Sequence, residues 1–293
     1  MESSNSSYHS LTKIFLKWLK RVVLYPIFCI ILGFMVLVAI THLVFHPSNN
    51  RDWSLDQAVL PYAVIHNNLV TVHKIRNFTY TSSEDYTPNY YDKTFDLNKI
   101  KNVYYVVEPF SKFAGSAHTF LSFEFEGNQF VAISVEIRKE KGETFSPTEG
   151  LFNQYELMYV VADERDVIKL RSNYRKDQVY VYPAKTTKEK MQALFLDMTN
   201  RVNELKDRLE FYNTLTNTCT TNIVRHINKI TPNRVPWSYK ILLPGYSDKL
   251  AYDLGLIDTT LPFEEARAKY LINDRALKYA DDPNFSVKIR ETK

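Results

Sequence analysis

The chain has 293 residues, enough for one sizeable domain with appendages or for two small ones. Hydrophobic residues make up 45% and aromatics 14%, with 20 Tyr and 18 Phe, which excludes a disordered chain and favours strands. The net charge is only +4 and no Lys/Arg cluster is interleaved with exposed aromatics, which argues against a nucleic-acid partner.

The first element in chain order is residues 22–45, VVLYPIFCIILGFMVLVAITHLVF, a stretch of 24 without a formal charge. Such a length crosses a bilayer as a helix. It exceeds the roughly 7–15-residue apolar core of a cleaved signal peptide, and Phe45-His46-Pro47 makes a poor cleavage site. An uncleaved anchor is therefore expected. Lys13, Lys17, Lys20 and Arg21 precede it, whereas Arg51, offset by Asp52 and Asp56, follows. That asymmetry predicts a cytoplasmic N-terminus over residues 1–21 and a single pass through the inner (cytoplasmic) membrane, with the remainder periplasmic or otherwise extracytoplasmic. Leu11, Ile14, Phe15, Trp18 and Leu19 recur at helical spacing. This flank either lies along the inner leaflet or is simply a basic anchor sequence.

Topology makes the two cysteines informative. Cys29 falls inside the anchor, leaving Cys219 as the sole outer thiol. An odd extracytoplasmic cysteine is either intermolecular or reactive. Two cysteines in different compartments cannot form a zinc site of the usual spacing, and no metal or cofactor is expected.

Residues 46–102 are polar and Tyr/Asn-rich, a lead-in segment packed on the domain with one short strand at 69–75. The main domain is expected over residues 103–260. It opens with strand-like runs at 103–108, 118–125, 129–138, 155–161 and 178–182. Thr186 and Glu189 have the spacing of a capping box. Behind them Met191, Leu194, Phe195, Met198, Val202, Leu205 and Leu209 mark an amphipathic helix of some six turns. A second helix starts near Thr218 or Cys219, capped by Asn217 or Thr218, and stops before Pro232. The Pro-punctuated stretch 232–258 is expected to be a loop packed on the domain. A short helix near 264–271 and a charged, mobile tail complete residues 261–293.

Within the strand region, HTFLSFEFEGNQFVAISVEI predicts a hairpin turning at Glu126-Gly127-Asn128. If Phe125 pairs with Gln129, Leu121 faces Ile133 and Phe123 faces Val131, so both strands agree on the apolar face. A two-residue turn would mix the faces. The favoured register sets His118 beside Glu136 at the open end. A carboxylate there fixes the imidazole tautomer for a general base; a plain cross-strand ion pair is the other reading.

Of the seven histidines, His118 is the best partner for Cys219. His226 follows the cysteine by seven residues on one helix, about 10 Å up the axis, and either lines the site or packs. At a helix start, unpaired N–H groups and the macrodipole favour the thiolate and can hold an oxyanion. With Glu136 orienting His118, Cys219 would complete a Cys-His-polar arrangement for acyl chemistry. The alternative is a small buried apolar residue in the first turn. Tyr212, Asn217 and Thr220, close to the cysteine in sequence, are the expected substrate contacts.

The runs AHTFLSFEFEGNQFVAISVEIRKEKGE, FYNTLTNTCTTNIVRHIN and LLPGYSDKLAYDLGLID resemble the Lnb N-terminal periplasmic domain family, from about residue 51 to 258. That family is similar to permuted NlpC-like enzymes of the papain superfamily, in which the histidine strand precedes the cysteine helix. The resemblance implies an α+β, permuted papain-like domain, an antiparallel sheet packed on helices, here standing behind the one transmembrane helix read from residues 22–45. It also implies Cys219 as nucleophile, His118 as base and Glu136 as orienting residue. The family's named member is a lipoprotein N-acyltransferase, so acyl transfer through a Cys219 thioester is implied, with phospholipid or lipoprotein acyl groups at the membrane surface as partners. An envelope protein is a further candidate partner. A cysteine hydrolase of the cell envelope and a non-catalytic binding module are the alternatives.

Overall fold

The computed structural model describes Phe15 and residues 17–291, the side chain of His42 excepted. Lys13, Leu11 and Ile14 of the N-terminal flank lie outside the described residues. Helix α1 (Tyr25–Val44) is continuous with a wider π-helical stretch at Leu19–Leu24. Leu19–Thr41 is long and apolar enough to cross a membrane, and none of it is buried against the rest of the chain.

Ten strands follow: β1 (Tyr62–His66), β2 (Leu69–Arg76), β3 (Thr79–Tyr80), β4 (Tyr86–Thr87), β5 (Tyr90–Asp96), β6 (Ile100–Pro109), β7 (Ala117–Phe125), β8 (Gln129–Arg138), β9 (Glu156–Ala162) and β10 (Tyr180–Pro183). Eight form one sheet in the order β1-β2-β9-β8-β7-β6-β10, with β5 also pairing β2; β3 and β4 form a separate ribbon. The pairings are antiparallel except the single β2–β9 contact at Arg76 and Ala162. The β7–β8 register is the expected one: Phe125 faces Gln129, Leu121 faces Ile133 and Phe120 faces Ser134. Two left-handed residues make the turn, Gly127 at φ 76° and Asn128 at φ 56°.

The chain's helices cover both faces. Helix α2 (Glu164–Lys169) runs on into a π-helical segment, Leu170–Arg175. Further on come α3 (Lys188–Asp207), α4 (Cys219–Ile230), α5 (Tyr239–Leu242), α6 (Ser247–Asp253), α7 (Phe263–Tyr270), α8 (Asn273–Lys278) and α9 (Phe285–Lys288). Leu121, Phe123, Val131 and Ile133 pack beneath Leu194, Phe195 and Met198 of α3 and Ile223 of α4. On the opposite face, Phe120, Ala132 and Val160 pack with Val167 and Ile168 of α2 and with Ile272, Phe285 and Ile289. The period-2 alternation of β7 and β8 thus feeds two cores, one on each side of the sheet.

Four expectations are corrected. The lead-in contributes β1, β2 and β5 to the main sheet, where one short strand was expected. The cap of α3 is Thr187, whose side chain accepts from Lys190 N, one residue beyond the expected Thr186. The stretch 232–258 holds α5 and α6, short helices started by Ser238 and by the Pro244–Tyr246 turn. The tail is docked: Phe285 and Ile289 are fully buried, and Arg290 Nη2 lies 2.5 Å from Glu164 Oε1.

The segment between α1 and β1 is also fastened. Arg51 Nε sits 2.8 Å from Glu156 Oε1, and Asn49 Nδ2 donates to Lys206 O at 3.1 Å. Trp53 is buried beneath Arg138, whose guanidinium lies 4.1 Å from the ring centroid. The anchor therefore enters the domain at the C-terminal end of α3 and the Arg138 end of β8, the end of the sheet that carries Glu136.

Candidate active site

Cys219 is the first residue of α4. Thr218 caps the helix: its hydroxyl accepts from Thr221 N at 3.2 Å while Thr221 Oγ1 accepts from Thr218 N at 2.7 Å. This reciprocal box ties down the first turn but leaves the N–H groups of Cys219 and Thr220 without an intrahelical acceptor. The Cys219 thiol is 6% exposed and faces the β7 strand. Nearby, Thr220 Oγ1 and Thr119 Oγ1 are 2.9 Å apart, locking α4 to β7.

His118 stands near the start of β7, its side chain 14% exposed. Its Nε2 lies 2.7 Å from Ser134 Oγ and 3.1 Å from Glu136 Oε1. Ser134 in turn donates to Glu136 Oε1 at 2.7 Å. A hydroxyl whose proton is given to the carboxylate can only accept from the ring, so Nε2 carries the hydrogen. Nδ1 is left to engage the thiol, the tautomer a base for Cys219 requires.

Behind this pair lies an ion network. Arg171, from the π-helical continuation of α2, places Nη2 2.9 Å from Glu136 Oε1 and Nε 2.5 Å from Glu108 Oε2. Glu108 pairs with His118 across β6–β7 and is almost wholly buried. The Arg171 guanidinium also lies 5.2 Å from the centroid of Phe120, which stacks on His118. The carboxylate is thus held from three sides.

The electrostatic consequence is a polarised pair. Burial opposes charge on His118, but the Glu136 carboxylate and the thiol outweigh it and push the imidazole up to about 10. Burial likewise opposes the Cys219 thiolate, yet hydrogen bonding and charge from His118, with help from Thr119, bring it down to about 7. Glu136 is held well below the usual carboxylate range: His118 and Arg171 overcome its burial. At neutral pH the site favours thiolate and imidazolium together.

Next to Thr220, the residue after the nucleophile candidate, lies an apolar cavity of about 530 Å³, lined also by Tyr105, Leu121, Leu194, Ile223, Ile227 and Ile241, with neither Cys219 nor His118 in its wall. Its volume is that of a small-molecule or lipid-chain site. Tyr105 donates to Ser247 Oγ at 2.7 Å at one wall.

A family model described as the Lnb N-terminal periplasmic domain matches residues 86–245, more than half of the chain. The chain belongs to this family. No curated protein matches it, and no solved structure does. As a member of the Lnb N-terminal periplasmic domain family with one apolar N-terminal helix, it is an extracytoplasmic, envelope-associated protein.

Within this family domain, Cys219, His118 and Glu136 meet at one place. Tyr212 is buried, close enough that the Cys219 and Glu136 charges bear on its hydroxyl. Thr220 lines the cavity. Asn217 bonds within its own loop and helix: its Nδ2 donates to Phe211 O, and its Oδ1 accepts from the side chains of Asn222 and Arg225. It braces the loop before α4. His226 packs, bonded to Asp197 Oδ2 and the Tyr159 hydroxyl at 2.7 Å each. Ser134, Arg171, Glu108 and Thr119 escaped sequence reasoning. Ser134 had a signal, since it lies two residues before Glu136 on the same strand face; Arg171 had none.

Proposed function

We propose that the protein is a membrane-anchored thiol acyltransferase of the cell envelope, built on a permuted papain-like domain. The observation that carries this reading is the polarised Cys219–His118 pair, with an apolar cavity one residue along the chain at Thr220. In the first half-reaction the Cys219 thiolate attacks the carbonyl carbon of an ester in a membrane lipid or lipoprotein, forming the C–S bond. The first-turn N–H groups of α4 hold the oxyanion. Collapse breaks the acyl C–O bond, and the departing alkoxide takes its proton from the His118 imidazolium. An amine, such as a lipoprotein N-terminus, then attacks the thioester. Neutral His118 accepts the amine proton, the C–S bond breaks, and the amide leaves with the thiolate restored. Glu136 holds the ring and stabilises its charged form in both halves. The acyl chain would lie in the cavity past Thr220, and α1 would keep the site at the inner membrane with the N-terminus in the cytoplasm.

A fatty-acyl activated-ester probe with an alkyne tag tests the nucleophile in membranes. Labelling of the wild type that is lost in Cys219→Ala is expected, and equal labelling of both would sink the assignment. Mass spectrometry of lipoprotein N-termini from cells with and without the protein tests transfer. An unchanged acylation pattern, with free fatty acid released by the purified chain, would identify a hydrolase instead.

A further inference from the structure

Apolar side chains rim the mouth of the site without cover from the rest of the described chain. The β6–β7 connection carries Phe113, 59% exposed, five residues before His118, with Phe110 beside it. The loop after β8 carries exposed Phe145, and the loop before α4 carries Leu215, 53% exposed and four residues before Cys219. These loops touch one another. Phe110 and Phe145 meet edge to face at 6.2 Å, Phe145 meets Tyr212 at 6.4 Å, and Thr214 Oγ1 donates to Pro147 O at 2.7 Å. One more contact fixes their level. Phe152, at the end of the same loop as Phe145, packs edge-on against Phe34 of α1 with ring centroids 5.9 Å apart.

Phe34 lies seven residues before Thr41, where the apolar span ends, so it is about 10 Å below that end at 1.5 Å per residue. If α1 crosses the bilayer, a loop in contact with Phe34 sits at the depth of acyl chains. Contiguous exposed apolar surface of this kind on a folded domain marks an interaction site. Lys112 at the tip of the β6–β7 loop can reach back to headgroups.

We infer that the three loops around Cys219 and His118 dip into the outer leaflet of the membrane that holds α1, so that the site opens onto lipid. The occupant of this surface is the bilayer itself. The inference rests on α1 as a membrane span and is independent of what the thiol does. It is tested on the full chain carrying Cys29→Ser and Cys219→Ser, in nanodiscs of phosphatidylethanolamine and phosphatidylglycerol. Nitroxide labels are placed at Phe113→Cys, Phe145→Cys and Leu215→Cys, with Leu69→Cys at the far end of the sheet as reference. Relative to that reference, the three rim labels are expected to show a severalfold higher ratio of oxygen to nickel-chelate accessibility. A chelate preference like that of Leu69→Cys would overturn the inference. So would shielding from both reagents, which would mean that protein covers the rim. A far-ultraviolet circular dichroism spectrum like that of the unlabelled chain restricts the comparison to folded protein.

Discussion

Between about pH 7 and 10, Cys219 and His118 favour opposite charges, each supporting the other. Alkylation of Cys219 by iodoacetamide should rise through about pH 7 and then stay level, since it needs only the thiolate. Acyl transfer from an ester should rise over the same interval but fall as pH approaches about 10, where the imidazolium that protonates the leaving alkoxide is lost. In His118→Gln, burial of the thiol is no longer opposed by a neighbouring cation. The alkylation midpoint should then move above the free-thiol value of about 8.5, and transfer should fall by about 10²–10⁴-fold. Stopped-flow alkylation across pH checks the first effect and turnover of an ester donor the second. An unmoved midpoint would mean that the thiol is activated by something other than His118. Cys219, His118 and Glu136 were legible in the sequence because local rules locate each of them: a helix cap, a hairpin register and a same-face neighbour. Arg171 was not, because its partners Glu108 and Glu136 lie 63 and 35 residues away.

Elements with apolar periodicity were legible to within a few residues, among them α3, α4 and the β7–β8 hairpin. Those whose buried face is ionic were not. The α2 segment, ERDVIK, buries Glu164 and Asp166 as well as Val167 and Ile168, so its composition suggests a solvated surface. Asp166 is nonetheless enclosed, accepting from Arg76, Tyr80 and the Phe78 backbone. The C-terminal tail misleads similarly, with Ile272, Ala276, Phe285 and Ile289 buried within a charged stretch. Phe285 and Ile289 matter energetically because α2 and α9 share one core, and α2 continues directly into Arg171. Phe285→Ala should cost about 3–5 kcal/mol through the cavity it leaves. Arg290→Ala should cost a similar ~3–5 kcal/mol by stranding Glu164, which also accepts from Ser122. Thermal unfolding in detergent measures both, and a melting temperature unchanged in both variants would show that the tail is dispensable to the fold.

For the whole molecule, the charge bias of the flank predicts a cytoplasmic N-terminus, and the description of the family as a periplasmic domain fits that expectation. Protease added to spheroplasts should therefore digest the domain, while inverted vesicles protect it; the opposite pattern would reverse the orientation. The depth of the loops was beyond the sequence, because it depends on a contact between Phe34 and Phe152, 118 residues apart along the chain.

The docked linker has a consequence for how the protein would work. Arg51, Asn49 and Trp53 make the junction behind the anchor a brace, so the domain is not on a swinging leash. The proposed acyltransferase, held in this way, would sample lipid substrate in two dimensions. Its turnover would be set by the mole fraction of reactive lipid in the surrounding membrane and by lateral diffusion, and no bulk concentration would enter the rate. Crowding of the leaflet, rather than supply from the surrounding fluid, would then govern its output.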